Sequence, residues 1–243
     1  MPSSRFLVHW TGQKDFEKLR EDNLKWDKYA ARLKDWYQIG LFAKTADAEL
    51  IFRLPEPGLV NKFKMKRLIR ICLTEIRLSQ AKDHSDRYGK LGIGFTREFI
   101  ANKGGRPVMY TPWEAKVRLM EESAWRVWQN SAGNDEIREP LTWLLAFFKV
   151  MSNGKPEDSR GYEDYYEEME WRLVFGESLD HSGTFTPTAD PDTYRVTFEP
   201  NDVTVIVFPH EEVLQRTLND SDMKRFFAAH QPDLVLLKDC KHF

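Results

Sequence analysis

Apolar residues recur along this chain in two rhythms. Short alternating or β-branched runs predict strands, and apolar positions that return every three or four residues predict helices. The run Arg5-Phe6-Leu7-Val8-His9-Trp10 reads as a strand that Thr11-Gly12 turns out of. From Asp15 to Tyr37, Phe16, Leu19, Leu24, Trp26, Tyr29, Leu33 and Trp36 recur at mixed helical spacing, which predicts one interrupted amphipathic helix or two short ones. The Pro-Glu-Pro-Gly of 55–58 then breaks the chain. Leu68 to Leu73, Leu91 to Phe95 and Pro107 to Tyr110 are expected as central strands.

Thr111 is placed to cap a helix that starts at Pro112 and runs through Val117, Met120, Ala124 and Val127, because proline is tolerated in a first helical turn. A second apolar helix is expected from Glu139 to Met151, and a strand from Met169 to Phe175. The stretch 176–192, rich in Thr, Asp, Gly and Pro, is expected to be disordered or a mobile lid. Tyr194 to Phe198 and Val203 to Phe208 are expected to form a hairpin around Pro200-Asn201-Asp202. Helices then cover Glu211 to Leu218 and Asp222 to His230, and Leu234 to Leu237 closes the sheet. Strands and helices do not alternate as regular βαβ units, so the predicted class is α+β, with a mixed, mostly antiparallel central sheet flanked by helices.

The 243 residues are 41% hydrophobic and 13% aromatic, enough for one sizeable core, and a single domain over 1–243 is expected. The 36 Lys+Arg nearly balance the 38 Asp+Glu, which excludes a uniformly basic nucleic-acid binder and leaves room for a local basic patch. No secretory leader and no membrane-spanning apolar stretch are read, and the two cysteines, Cys72 and Cys240, fit a reducing cytoplasm. The six histidines are too dispersed for a recognisable metal set, so no metal is expected. Gly89, Gly92 and Gly94 precede or lie in a strand, whereas a dinucleotide fingerprint follows one.

Three constellations could carry chemistry. His9 and Thr11 stand two apart on an extended segment, on one face, where they could hold a ribose hydroxyl or simply finish a sheet edge. Glu168, Glu170 and Arg172 share one face of a strand whose other face is Met169, Trp171 and Leu173; that charged face is either a surface salt-bridge ladder or a carboxylate aimed into a cleft. Tyr88 to Phe95 and Gly104 to Tyr110 pair glycines with aromatics, as a stacking slot or as core packing. The run Lys62 to Arg67 interleaves charged and apolar residues, either on a solvated helix face or against phosphates.

Taken in order, Val8 to Gly12, Cys72-Leu73-Thr74-Glu75-Ile76 with Leu78-Ser79, His84, Tyr88-Gly89 leading to Gly92-Ile93-Gly94-Phe95, and Gly105 to Tyr110 resemble the AbiGi family of bacterial abortive-infection proteins. Glu168-Met169-Glu170-Trp171-Arg172-Leu173 also looks like that family's glutamate-tryptophan-arginine strand, so the likeness runs over nearly the whole chain. The resemblance implies phage defence, as the antitoxin half of a two-gene pair whose partner resembles a nucleotidyltransferase toxin. It transfers no catalytic residues.

A second likeness is to the layout of ADP-ribosyltransferases: an early strand-borne His-x-Thr, aromatics beside central strands and a late Glu-x-Glu strand. It implies NAD as cofactor, with His9 and Thr11 on the adenosine-side ribose and Tyr88 or Tyr110 packing the nicotinamide. Glu170 would be the catalytic carboxylate facing positive charge on the sugar, and the acceptor a nucleic acid or a protein. Two functions therefore stand side by side: an NAD-dependent transferase-like effector of phage defence, and a non-enzymatic antitoxin or sensor that binds a toxin or another defence protein.

Overall fold

A computed structural model describes residues 6–12, 16, 18–19, 21–46, 49–53, 60–64, 68–112, 119–151, 169–175, 184–190 and 193–242. In its first half β1 (Phe6–Thr11) is followed by α1 (Asp22–Ile39), β2 (Leu41–Ala46), β3 (Glu49–Arg53), β4 (Val60–Lys64) and β5 (Leu68–Ile76). Then come α2 (Ala81–Tyr88), β6 (Leu91–Phe95), α3 (Arg97–Asn102), β7 (Arg106–Pro107) and β8 (Met109–Pro112). The middle holds α4 (Leu119–Asn130), α5 (Asp135–Ala146), β9 (Phe148–Met151) and β10 (Glu170–Phe175). The C-terminal part contributes β11 (Phe185–Pro187), β12 (Thr193–Val196), β13 (Val203–Phe208), α6 (Glu211–Asn219), α7 (Ser221–Ala229) and β14 (Asp233–Leu236).

Ten of these strands make one mixed, mostly antiparallel sheet, in the order β11-β12-β2-β5-β1-β6-β13-β14, with β10 on β5 and β7 beyond it. The expected α+β class is what the chain adopts. The organising strand is β5. One of its edges carries β10, from Ile69↔Phe175 to Thr74↔Glu170. The other edge is shared, β2 taking Leu68 to Arg70 and β1 taking Thr74 to Ile76. Between those two partners the sheet splits.

Period-two alternation sorts the side chains of this sheet into two layers. Leu7, Leu73, Ile93, Ile206 and Phe208 pack beneath Tyr29, Leu33 and Trp36 of α1, with Val213 of α6 and Phe226 of α7 in the same cluster. Lys34 on α1 holds Asp220 and Asp222 at 2.9 Å each, fixing α7 to that layer. On the opposite face Val8, Trp10, Ile76, Val205, Val207 and Val235 meet Leu78, Ala81 and Cys240. A smaller cluster on that second face joins Val174 to Leu145 and Phe148.

Several expectations change. Pro107 to Tyr110 is not central: β7 sits at the edge beyond β10, and β8 pairs in parallel with β9 in a separate two-stranded sheet. Thr111 and Pro112 therefore lie in a strand rather than starting a helix; α4 is described from Leu119, and 113–118, with Val117, lie outside the described residues. The helix expected from Glu139 to Met151 ends at Ala146, and Phe148–Met151 is extended. β12 and β13 are not hairpin partners; β12 pairs with β2 and β11, while β13 pairs with β6 and β14. The unbroken run Val203-Thr204-Val205-Ile206-Val207-Phe208 explains this, since a strand covered on both faces belongs in the sheet interior. Of the loop 176–192, residues 184–190 contain a strand with Phe185 buried, and 176–183 and 191–192 lie outside the described residues.

Candidate functional site

The glutamate-tryptophan-arginine strand is the densest polar feature of the second face. Alternation along β10 sends Glu170 and Arg172 to one side and Trp171 and Leu173 to the other. Glu170 is 8% exposed and Arg172 6%, so for these two the surface-ladder reading falls, while Glu168 lies outside the described residues. What covers them is the α5–β9 segment. Arg172 Nη1 donates to the carbonyls of Ala146 and Phe148, and Lys149 Nζ donates to Glu170 Oε2 at 2.7 Å. Arg172 Nε donates to Glu170 Oε1, also at 2.7 Å. The Glu170 amide donates to the Tyr110 hydroxyl at 2.9 Å, and its carbonyl accepts from Val108. Met169, immediately before, holds a left-handed φ of 39° while its carbonyl accepts from Glu75, so the strand enters under backbone strain.

These contacts set the charge states. Burial works to raise the Glu170 pKa, but the charges of Arg172 and Lys149 and their hydrogen bonds outweigh it and pull it from 4.5 to about 2. Burial likewise opposes the Arg172 charge, and Glu170 more than restores it. At neutral pH the site is therefore a carboxylate clamped between two cations. Both carboxylate oxygens already accept charged donors, so this group is committed to holding α5 and β9 against the sheet.

His9 and Thr11 occupy the other layer. Val8 is in register with Thr74, which is in register with Glu170, so these three share a face, and His9 and Thr11, one and three residues on from Val8, belong to the opposite one. The His9 ring packs 5.5 Å from that of Trp36 on α1. Its Nδ1 is 2.9 Å from the Cys72 carbonyl, which can only accept, so that nitrogen carries the proton. Cys72 lies between the positions at which β2 and β1 pair with β5, and the imidazole bonds its carbonyl there. Burial lowers the His9 pKa and Arg32 adds to the effect, against the opposing pull of the Cys72 bond.

The structure thus brings Tyr110 together with Glu170, and His9 together with Thr11, but does not bring the two pairs into one hollow. Tyr88 ends α2, its ring stacked 6.3 Å from that of His84. Gly92 serves the sheet: a Cβ there would stand 2.9 Å from both Trp10 and Val8 side chains, so the glycine admits the indole against β6. Sequence reasoning missed Lys149. Its signal was Phe148-Lys149-Val150-Met151, a β-prone run that the preceding leucines disguised as more helix. Among the described residues no group of three or more His, Cys, Asp or Glu side chains stands ready for a metal ion.

Residues 62–209 match the family model of the abortive phage resistance protein AbiGi, antitoxin. The chain belongs to the AbiGi family. The matched span contains β5, β10 and the whole Glu170–Arg172–Lys149 cluster, whereas β1 with His9 and Thr11 lies before it. No curated protein and no solved structure matches the chain.

Proposed function

We propose that this AbiGi chain acts in phage defence as an antitoxin that binds its cognate toxin through the outer side of the α4–α5 hairpin. The observation that carries the reading is where large apolar side chains meet water. Val127 on α4 and Ile137 and Leu144 on α5 are 50%, 46% and 43% exposed. Ile137 and Leu144, two turns apart, lie on one side of α5. Asp135 and Glu136, both exposed, open that helix, so the partner surface that fits is apolar with a basic margin. The hairpin's inner side is occupied: Trp128 Nε1 donates to Thr142 Oγ1 at 2.8 Å, the Arg138 guanidinium lies 3.9 Å from the Trp128 ring, and Leu145 is fully buried. The polar cluster beneath holds this unit to the sheet.

The transferase reading asks more of the fold. NAD held by His9, Thr11, Tyr88 and Tyr110 with Glu170 at the reacting sugar needs β1 and β10 to aim into a common hollow, and their side chains leave opposite faces of the sheet. Partner binding needs no such meeting. The test is co-expression with the product of the neighbouring gene. The wild-type chain is expected to co-purify with it and relieve its growth arrest, and Ile137→Asp with Leu144→Asp is expected to abolish both while the melting temperature stays within a few degrees. Equal capture and equal rescue by the two proteins would reject this surface.

A further inference from the structure

Lys62 to Arg67, expected on a helix, is extended as far as Lys64, and 65–67 lie outside the described residues. The cations that toxin binding leaves unexplained are two arginines on the second face of the main sheet, Arg70 of β5 and Arg195 of β12. Register puts them there. Arg70 pairs with Val174, which packs in the cluster with Leu145 and Phe148, and its neighbour Ile71 belongs to the α1 layer. Arg195 alternates with Tyr194 and Val196, which also pack in the α1 layer.

Thr193, position 44 and Arg70 stand in one row across β12, β2 and β5, and Arg195 and Cys72 lie two residues further along, on the same side of that row. Two interstrand spacings and two residues of rise put the Cα atoms of Arg70 and Arg195 about 12 Å apart. Arginine side chains reaching inward from the two ends of that span meet over one small group. The floor between them is open. β5 has strands on both edges, so an exposed side chain on it marks an uncovered part of the face, and Arg70 and Cys72 are both exposed.

Arg172, in register with Cys72, is neutralised by Glu170. Arg70 and Arg195, in contrast, form no hydrogen bond or ion pair among the described residues. Asp190, whose carboxylate accepts from Thr193 Oγ1 at 2.7 Å, pairs with neither. Arg195 Nε is in addition withdrawn from water without an acceptor. A desolvated donor left in that state costs stability, and its partner comes from the protein, from water or from a ligand.

We infer that Arg70 and Arg195 form a site for the phosphate group of a small molecule, which enters the open floor beside Cys72 and accepts from both guanidinium groups. Two unpaired cations match a dianion. A tetrahedral phosphate offers oxygens on two sides, whereas a planar carboxylate is filled by one bidentate arginine. The inference is independent of the toxin surface, which lies on other elements.

The test is isothermal titration calorimetry of the full chain with inorganic pyrophosphate, with thermal melts alongside. The wild type is expected to bind with a Kd below about 1 mM. Arg70→Gln and Arg195→Met are each expected to weaken binding at least about tenfold. Lys224→Gln, which removes a charge from an exposed helix position, is expected to leave it intact. Pyrophosphate is expected to raise the melting temperature of the wild type and not that of Arg195→Met. Without pyrophosphate, Arg195→Met is expected to melt no lower than the wild type, since it removes a donor that no group of the chain satisfies; an arginine with a structural role would show the opposite. Absence of binding by the wild type, equal binding by Arg70→Gln and Lys224→Gln, or a melting temperature lowered by Arg195→Met in the absence of pyrophosphate would each overturn the inference.

Discussion

Arg172 Nε lies 2.7 Å from Glu170 Oε1, two residues away along β10, in a layer where both side chains are almost fully withdrawn from water. A buried pair of this kind is unforgiving of half-removal. Taking away one partner leaves the other charged and desolvated, whereas replacing both by apolar groups of similar size is often tolerated.

Glu170→Ala is accordingly expected to destabilise the chain by about 3–5 kcal/mol, lowering the melting temperature by roughly 10 °C. The double change Glu170→Leu with Arg172→Leu is expected to cost far less. Calorimetric or circular-dichroism melts of Glu170→Leu, Arg172→Leu and the double variant would show the double losing far less than the sum of the two single losses. Additive losses would mean that the pair does not act as a unit.

Acid should act in two steps. His9 and Glu170 both have folded pKa values below their ordinary ones, 6.5 and 4.5, so each contributes stability that is complete above its ordinary value and is lost as pH falls. Stability is expected to decline first below pH 6.5, as the unfolded chain takes up the His9 proton. It declines again between pH 4.5 and about 2, where Glu170 accounts for about 3 kcal/mol. Urea melts across this range with His9→Phe should lose the first decline and keep the second. Retention of both would remove His9 from the account.

Strain before β10 gives a substitution with an unusual sign. With φ at 39°, position 169 favours glycine, so Met169→Gly is expected to be more stable than Met169→Ala by about 1 kcal/mol. In an ordinary extended position alanine would be the better of the two. At Gly92 the reverse holds, because a Cβ meets Trp10 and Val8 at 2.9 Å. Gly92→Ala is expected to cost about 1–3 kcal/mol in a thermal melt.

Much of this architecture is written in local pattern. The alternation of Glu170-Trp171-Arg172-Leu173 marks a strand with one charged face, and Leu91 to Phe95 is the buried central strand its composition predicts. The C-terminal helices fall where their periodicity puts them. What stayed hidden depends on partners far along the chain. Lys149 meets Glu170 only because β9 follows α5 immediately, and no spacing rule connects positions 21 residues apart through a change of element. β2, β3 and β4 are short and interrupted by charges, so their local signal is weak although their ladders are regular. The face opposition of His9 and Glu170 is a property of register through β5, and register is not a quantity that one strand's sequence carries.

The α4–α5 surface is the claim on which the functional reading turns. Hydrogen–deuterium exchange of the chain, alone and with the product of the neighbouring gene, measures it without any substitution. The account predicts new protection confined chiefly to residues 119–146, centred on Val127, Ile137 and Leu144. Protection that spares this hairpin and falls elsewhere, or no change at all on mixing, would contradict it.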